Sequence, residues 1–369
     1  MVTDADSRAA GPAPALDASS RAEVVLPCPE LALTVEWLRQ RLGFELRMVM
    51  PADDPAVAVM QGHGVRLRLE RADQPTDATL RIACQRPEAV ADGARALVGP
   101  GGLRVQLVDA SPAVAVPALQ PSWVVSRLAD AQWVTGRAGM RYRDLVPDRQ
   151  GGRYIASHIV IPDGGPVPDY VHFHRVQAQF IYCLDGWARL VYEDQGPAFV
   201  VNAGDCVLQP PGIRHRVLEC SAGLAVLEVG CPAVHETWTD PVMTLPTPQV
   251  RPGRLFEGQR FHWHRAERAS WKASPYAGWE MRETGIASAS VDRVGIVAVR
   301  PRLPGAAIEA EGHQGALGLY FATRGAARMR CDGRRAVSMV SQDAVVVPAG
   351  CRHVIDDASE DFEMLYVTA

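Results

Sequence analysis

His172 and His174 stand two apart in DYVHFHRVQ, and His215 follows the turn-forming stretch PPGIR further along the chain. In a β-strand, side chains two apart share a face, so both imidazoles of this pair point to one side. A divalent metal needs three or more convergent nitrogen or oxygen donors, and imidazole suits iron, zinc, nickel and copper alike. Metal binding is therefore the chemistry these residues offer.

Donors so far apart in sequence must be brought together by a sheet. After residue 123 the chain is nearly all short β-runs separated by Gly and Pro turns, the pattern of a sandwich or barrel. These runs repeat. His174 precedes Gly186 by twelve positions and PPGIRH ends at His215, while His313 precedes Gly325 by twelve and PAGCRH ends at His353. IYCLDGWARLVY and LYFATRGAARMRC share a pattern. Two copies at a period near 140 residues predict a tandem pair of barrels.

The first copy resembles the two cupin motifs. The first motif, HxH followed by Glu and Gly, is met by His172, His174, Gln179 and Gly186 with its gaps intact. The second, Gly, then PxG, then His, is met by Gly204, Pro210, Gly212 and His215. The resemblance implies a small jelly-roll barrel with a metal inside, held by His172, His174 and His215. Gln179 stands where the family usually has Glu. An amide is neutral and a weaker donor than a carboxylate. Either its carbonyl oxygen binds, or it withdraws and leaves a three-His site with an added open position, which a catalytic metal keeps for substrate.

The second copy departs further. Glu311 aligns with His172, His313 with His174, His353 with His215 and Gly318 with Gln179, and Gln342 replaces the motif Gly. Glu311, His313 and His353 have the composition of a two-His, one-carboxylate iron site. The expectation is nevertheless a degenerate barrel, because tandem cupins often keep one working cup. RFHWHRAER holds another HxH, His262 and His264, but neither partner motif follows it, so these read as strand-surface histidines. His63 and His158 read as structural.

Around the first cup, Tyr170, Gln177, Tyr182 and Arg214 are candidates to face or rim the cavity. Gln179, Tyr182 and Arg214 are the expected catalytic residues, with Arg214 placed to neutralise an anionic substrate. A general base would be Tyr182, Glu228 or Tyr170. Trp187 reads as core or interface.

Residues 21–112 form a different kind of segment. A strand runs into the helical stretch LALTVEWLRQRLGF, closed by Gly43, and short strands follow, two of them joined by the QGHG turn. A shorter strand–helix–strand comes next: TLRIAC, PEAVADGARALVG, LRVQLVD. This βαβββ order and the phrase LPCPELALTVEWLRQRLGFEL resemble the glyoxalase/bleomycin-resistance (vicinal oxygen chelate) family. Glu23 and Glu70 sit where that family places ligands, but no matching His accompanies them, so the expectation is a metal-free accessory or dimerising domain.

The predicted organisation is mainly β with a smaller α+β part. It comprises a disordered leader (1–20), a glyoxalase-like domain (21–112), a Pro-rich linker (113–123), a metal-bearing cupin barrel (124–245) and a degenerate one (246–369). Net charge is -4 and no Lys/Arg block stands out, which argues for a small-molecule substrate rather than nucleic acid. Lys272 is the single Lys, and the Arg and Ala usage looks like that of a GC-rich bacterial gene. No apolar run reaches membrane-spanning length, and the first residues do not read as a signal peptide. The eight Cys show no CxxC pair and read as free thiols, and a cytoplasmic protein is expected. Both resembled families commonly dimerise, which implies a homodimer.

Taken together, the resemblances imply a metal-dependent enzyme acting on a small organic molecule, with an Fe(II) dioxygenase or oxygenase first. A non-oxidative isomerase, lyase or cyclase using Zn(II) comes next, since cupin-like sugar isomerases also place Gln on zinc. A small-ligand-binding protein without turnover is the third reading.

Overall fold

The structure, a computed structural model, describes residues 16, 17 and 19–369; the expected leader over 1–20 lies largely outside the described residues. The chain divides into two compact units, 1–113 and 114–369.

The first unit holds a four-stranded sheet in the order Val24–Cys28, Val65–Arg71, Val57–Gly62, Glu45–Met50. Its first two strands run parallel, as a βα crossover requires. The crossover helix, Leu31–Leu42, buries Leu31, Leu38 and Leu42, and ends at Gly43 in the left-handed conformation, φ 69°. A three-stranded sheet follows, ordered Thr79–Cys84, Arg104–Asp109, Ala96–Val98. Its helix is a single turn, Pro87–Val90, since the sequence continues into the Gly93 turn at φ 90°.

The second unit is almost entirely antiparallel sheet and contains two barrels. In the first barrel, a seven-stranded sheet centred on Ala178–Asp185 and Leu224–Cys231 faces a six-stranded sheet that includes Trp187–Tyr192, His215–Cys220 and His172–His174. In the second, a seven-stranded sheet centred on Glu363–Thr368 and Gly318–Arg324 faces a four-stranded one. Strand alternation divides Ala178–Asp185 between two environments. Ile181 and Cys183 line the first cavity, while Phe180 and Tyr182 enter a core shared with Leu319, Phe321 and Leu365 of the second barrel. The central strands are thus buried on both faces and read as apolar runs.

The barrels exchange edge strands. Val124–Ser126 pairs with Ala344–Val346 in the second barrel's sheet, and His262–His264 pairs with Cys206–Leu208 in the first. A division at 245/246 therefore leaves each of these strands with the other barrel's sequence. It also relocates the second HxH: His262 approaches the Thr284 carbonyl at 2.8 Å, while His264 is buried rather than at the surface. Arg143, 1% exposed, adds a link, donating to the backbone oxygens of Ser126 and Gln342 at 2.9 and 2.8 Å. The repeated Gly186 and Gly325 both adopt left-handed backbone, φ 73° and 65°. A Cβ at Gly325 would lie 2.7 Å from the Phe362 Cα, so the turn excludes a side chain.

One expectation about the cysteines is corrected: Cys331 and Cys351 form a disulfide, while six other Cys are free. No spacing signature marks this pair, since it joins a strand end to a loop that only the fold brings together.

His158 is 2% exposed, with its ring 5.2 Å from Trp133 and 5.9 Å from Phe321. Burial, helped by Arg143, lowers its pKa from 6.5 to about 4. The folded protein therefore holds His158 neutral where the unfolded chain binds a proton. Its contribution is fully present above pH 6.5 and is lost as pH falls toward 4. The loss is roughly 3 kcal/mol by the linkage relation. Urea midpoints measured between pH 7 and pH 4 are expected to fall in wild type and to fall less in His158→Phe; parallel curves would contradict this.

Candidate metal centre

The strand His172–His174 is three residues long, with Phe173 turned away beneath the Arg214 guanidinium at 4.2 Å. His172 and His174 face the cavity, and His215, at the start of His215–Cys220, is the direct cross-strand partner of His172. Ring centroids are 4.3 Å apart for His172 and His215, 5.2 Å for His172 and His174, and 5.3 Å for His174 and His215. One donor atom from each ring lies within 4.8 Å of the others. Two strands thus bring three imidazoles to one point.

Each ring is anchored through the same nitrogen. His172 Nδ1 meets the Tyr170 carbonyl at 2.8 Å, His215 Nδ1 meets the Ile213 carbonyl at 3.0 Å, and His174 Nδ1 meets the Thr237 hydroxyl at 2.8 Å. The two carbonyl contacts require protonated Nδ1, which leaves Nε2 with its lone pair. Burial lowers the pKa of all three histidines; neighbouring imidazoles add to this for His174 and His215. Neutral rings are what a metal needs, because a protonated imidazole cannot bind one.

Gln179 reaches the same interior. It shares the inward face with Ile181 and Cys183 and is 1% exposed. Neither side-chain atom has a hydrogen-bond partner of good geometry. A buried amide left so carries a desolvation cost of about 1–3 kcal/mol. A metal or a bound molecule would relieve it, so the donor set fits a divalent ion. Gln179→Ala is expected to weaken metal retention about tenfold, the low end for loss of a supporting ligand group. Titration against a chelator measures this, and unchanged affinity would show that the amide is not a donor.

Several site residues lie outside the motif. Arg137, in the short 3-10 turn Arg137–Gly139, points its guanidinium at His172 Nε2 (3.2 Å) and is paired with buried Asp169 (2.7 Å). Asp169 also accepts from the Val217 amide at 2.9 Å, which fixes the pair against the His215 strand. Tyr192 lies parallel to His215, centroids 5.4 Å apart, and takes a hydrogen bond from Gln209. Glu228, opposite Ile181, lines the cavity. Burial raises its pKa, opposed by the nearby Gln179 amide and Arg137. The cavity is narrow, about 90 Å³, and otherwise apolar, with Ile159, Leu190 and Val226 among its walls.

Of the expected residues, His172, His174 and His215 are brought together and Glu228 lines the same cavity, while Gln179 is buried on the strand face that carries Ile181. Tyr182 and Arg214 are not. Tyr182 lies in the inter-barrel core with its hydroxyl near Arg282, because it alternates with inward Ile181. Arg214 neighbours inward His215 and so turns outward, pairing with Asp240 at 3.2 Å. Tyr170 is 44% exposed and rims the site edge-on to His172.

The second cup assembles no metal cluster among the described residues. Glu311 is exposed and pairs with Arg352. His313 spends Nε2 on the Val347 carbonyl at 2.7 Å, its ring filling the place of a side chain at Gly318, where a Cβ would collide with it. His353 Nε2 accepts from the Tyr320 hydroxyl at 2.7 Å. The Glu311, His313, His353 combination is thereby corrected: both surviving imidazoles are already occupied.

Comparison with known proteins agrees with the barrel geometry. Residues 157–229 match the family model described as a cupin domain. Among solved structures, the chain is similar to oxalate decarboxylase from Bacillus subtilis at pH 4.6, with TM-score 0.51 and 16% identity, over 70% of this chain and 78% of that one. It is also similar to a Bacillus subtilis oxalate decarboxylase studied for its Mn(II) centers, with TM-score 0.50 and 15% identity, over 70% and 80% of the two chains. At these identities the likeness is one of fold. No curated protein matches the chain by sequence.

Proposed function

We propose that this cupin protein is a metal-dependent enzyme whose first barrel acts on a small molecule carrying a carboxylate. The observation that carries the reading is the set of three neutral imidazoles, each anchored through Nδ1, with the Arg137 guanidinium beside them.

His172, His174 and His215 would hold the metal, with Gln179 as fourth donor. When bound, the ion supplies Lewis-acid or redox chemistry and open positions for substrate. All four donors are neutral, so the site favours an anionic partner. Arg137 binds and orients that anion, since its planar fork matches a carboxylate. Glu228 sits where burial favours its protonated form, and it exchanges a proton with substrate. Ile159, Ile181, Leu190 and Val226 keep the cavity dry. A cavity of about 90 Å³ admits a substrate of only a few heavy atoms. The oxalate decarboxylases of similar fold are named for such a molecule.

Oxidation with Fe(II) is the first form of the reaction. A non-oxidative form, with Zn(II) or Mn(II), is favoured by the buried carboxyl of Glu228, a proton source suited to bond cleavage without O2. Anaerobic purification followed by elemental analysis and by turnover of small carboxylates with and without O2 tests both. Iron with O2 uptake supports the first form, and O2-independent turnover supports the second. Protein that takes up no divalent metal ends the proposal.

For the first unit, a metal-free glyoxalase-like accessory role is proposed. Glu23 and Glu70 are both engaged by Arg68, at 3.9 and 2.6 Å, and Glu23 also by Arg66 at 2.9 Å.

A further inference from the structure

The second barrel assembles no metal cluster among the described residues, yet it holds a hollow. A cavity of about 760 Å³ opens in it, several times larger than that of the first barrel and within the range of small-molecule sites. Its walls are Met281, Val297, Val299, Ile308 and Met364, with Tyr276, Tyr320 and Tyr366. The repeat places Tyr320 where the first cup has Ile181, and Tyr366 where it has Glu228. Tyr320 and Tyr366 are cross-strand partners whose rings stack at 4.6 Å and 15°. Two wall positions of the first cup, Ile181 and Glu228, are thus matched here by an aromatic platform.

Charge and hydrogen bonding narrow the ligand. No Lys, Arg or His lines the cavity, and Glu283 and Asp292 stand among its residues, so an anion is disfavoured. Tyr320 donates its proton to His353 Nε2, whose Nδ1 is tied to the Cys351 carbonyl. The Tyr320 oxygen remains an acceptor, shared with the neighbouring Tyr366 hydroxyl, and both residues stand on the cavity wall.

We propose that the second barrel is a metal-free binding site for a neutral aromatic molecule bearing a hydroxyl group, its ring against the Tyr320–Tyr366 pair and its hydroxyl donated to Tyr320. This site is independent of the metal centre and stands or falls apart from it.

The probe is naphthol, neutral at pH 7, titrated into the full chain. Saturable binding is expected, with methyl NMR shifts at Met281 and Met364 and none at Met140, which lines the first cavity. Tyr320→Phe is expected to weaken it about 3- to 10-fold, the value of one hydrogen bond. Val297→Trp is expected to abolish it by filling the hollow, and His172→Ala to leave it unchanged. Naphthoate, an anion of similar shape, is expected to bind at least about tenfold more weakly. The methyl shifts need no variant, so a misfolded Val297→Trp does not rescue the idea. No saturation, shifts confined to Met140, or naphthoate binding as tightly as naphthol would each overturn it.

Discussion

His215→Ala protein is expected to come through purification without its metal. His215 is 5% exposed and faces His172 across the strand pair, so its imidazole is held in place as a donor. Four-ligand sites bind with about 10–16 kcal/mol in total, so one imidazole carries roughly 3–4 kcal/mol. Its loss should weaken retention on the order of several hundredfold. Turnover should fall with occupancy, and excess metal should restore only part of it. His353→Ala and His262→Ala serve as comparisons and should keep the wild-type metal content, because both rings face other partners. Elemental analysis and chelator competition on the three variants decide the matter. Equal metal content in His215→Ala and wild type would place the ion elsewhere.

The second large effect concerns Arg137. Its guanidinium lies beside the nitrogen that His172 offers to a metal, so ion and arginine repel while both attract an anion. Arg137→Met should therefore move two affinities in opposite directions. Removing a unit charge roughly 5 Å from a doubly charged ion in a wet environment is worth about 1–2 kcal/mol, so metal affinity should rise about tenfold. Binding of oxalate, used as a small-carboxylate probe, should fall on the order of 100-fold, discounted from a fully buried pair because Arg137 is 31% exposed. Arg137→Lys should recover the charge and only part of the anion affinity, since an ammonium lacks the planar fork. Calorimetry with metal alone, then with oxalate on the loaded protein, separates the two. A loss of both affinities together would mean that Arg137 only supports the fold through Asp169.

The three histidines were legible because HxH in a strand and a His after a PxG turn are local patterns that the sheet merely closes. The mainly β character and the two-barrel repeat were legible for the same reason. Arg137 was not, because it reaches His172 from a one-turn helix that no motif marks, held by Asp169. Tyr182 and Arg214 were misplaced although the signal was available. If Gln179 and His215 point inward, alternation sends Tyr182 and Arg214 outward. In the second copy, spacing allowed a Glu311, His313, His353 site beside the expected degenerate barrel, yet spacing says nothing of the Val347 carbonyl and the Tyr320 hydroxyl that claim the two rings. The strand exchange left no mark in either half, since an edge strand reads alike whichever sheet it joins.

That exchange bears on how the chain is made. Val124–Ser126 leaves the ribosome well before its sheet partner, Ala344–Val346. Until then the Arg143 guanidinium keeps its water, because the Gln342 oxygen it will bind is not yet there. The second barrel cannot close until Ala344–Val346 and Glu363–Thr368 have been made, and contacts spanning so much sequence slow closure. The nascent chain thus carries an unsealed β-edge from one of these strands to the other, and it is in that interval that chaperones would be needed to guard it.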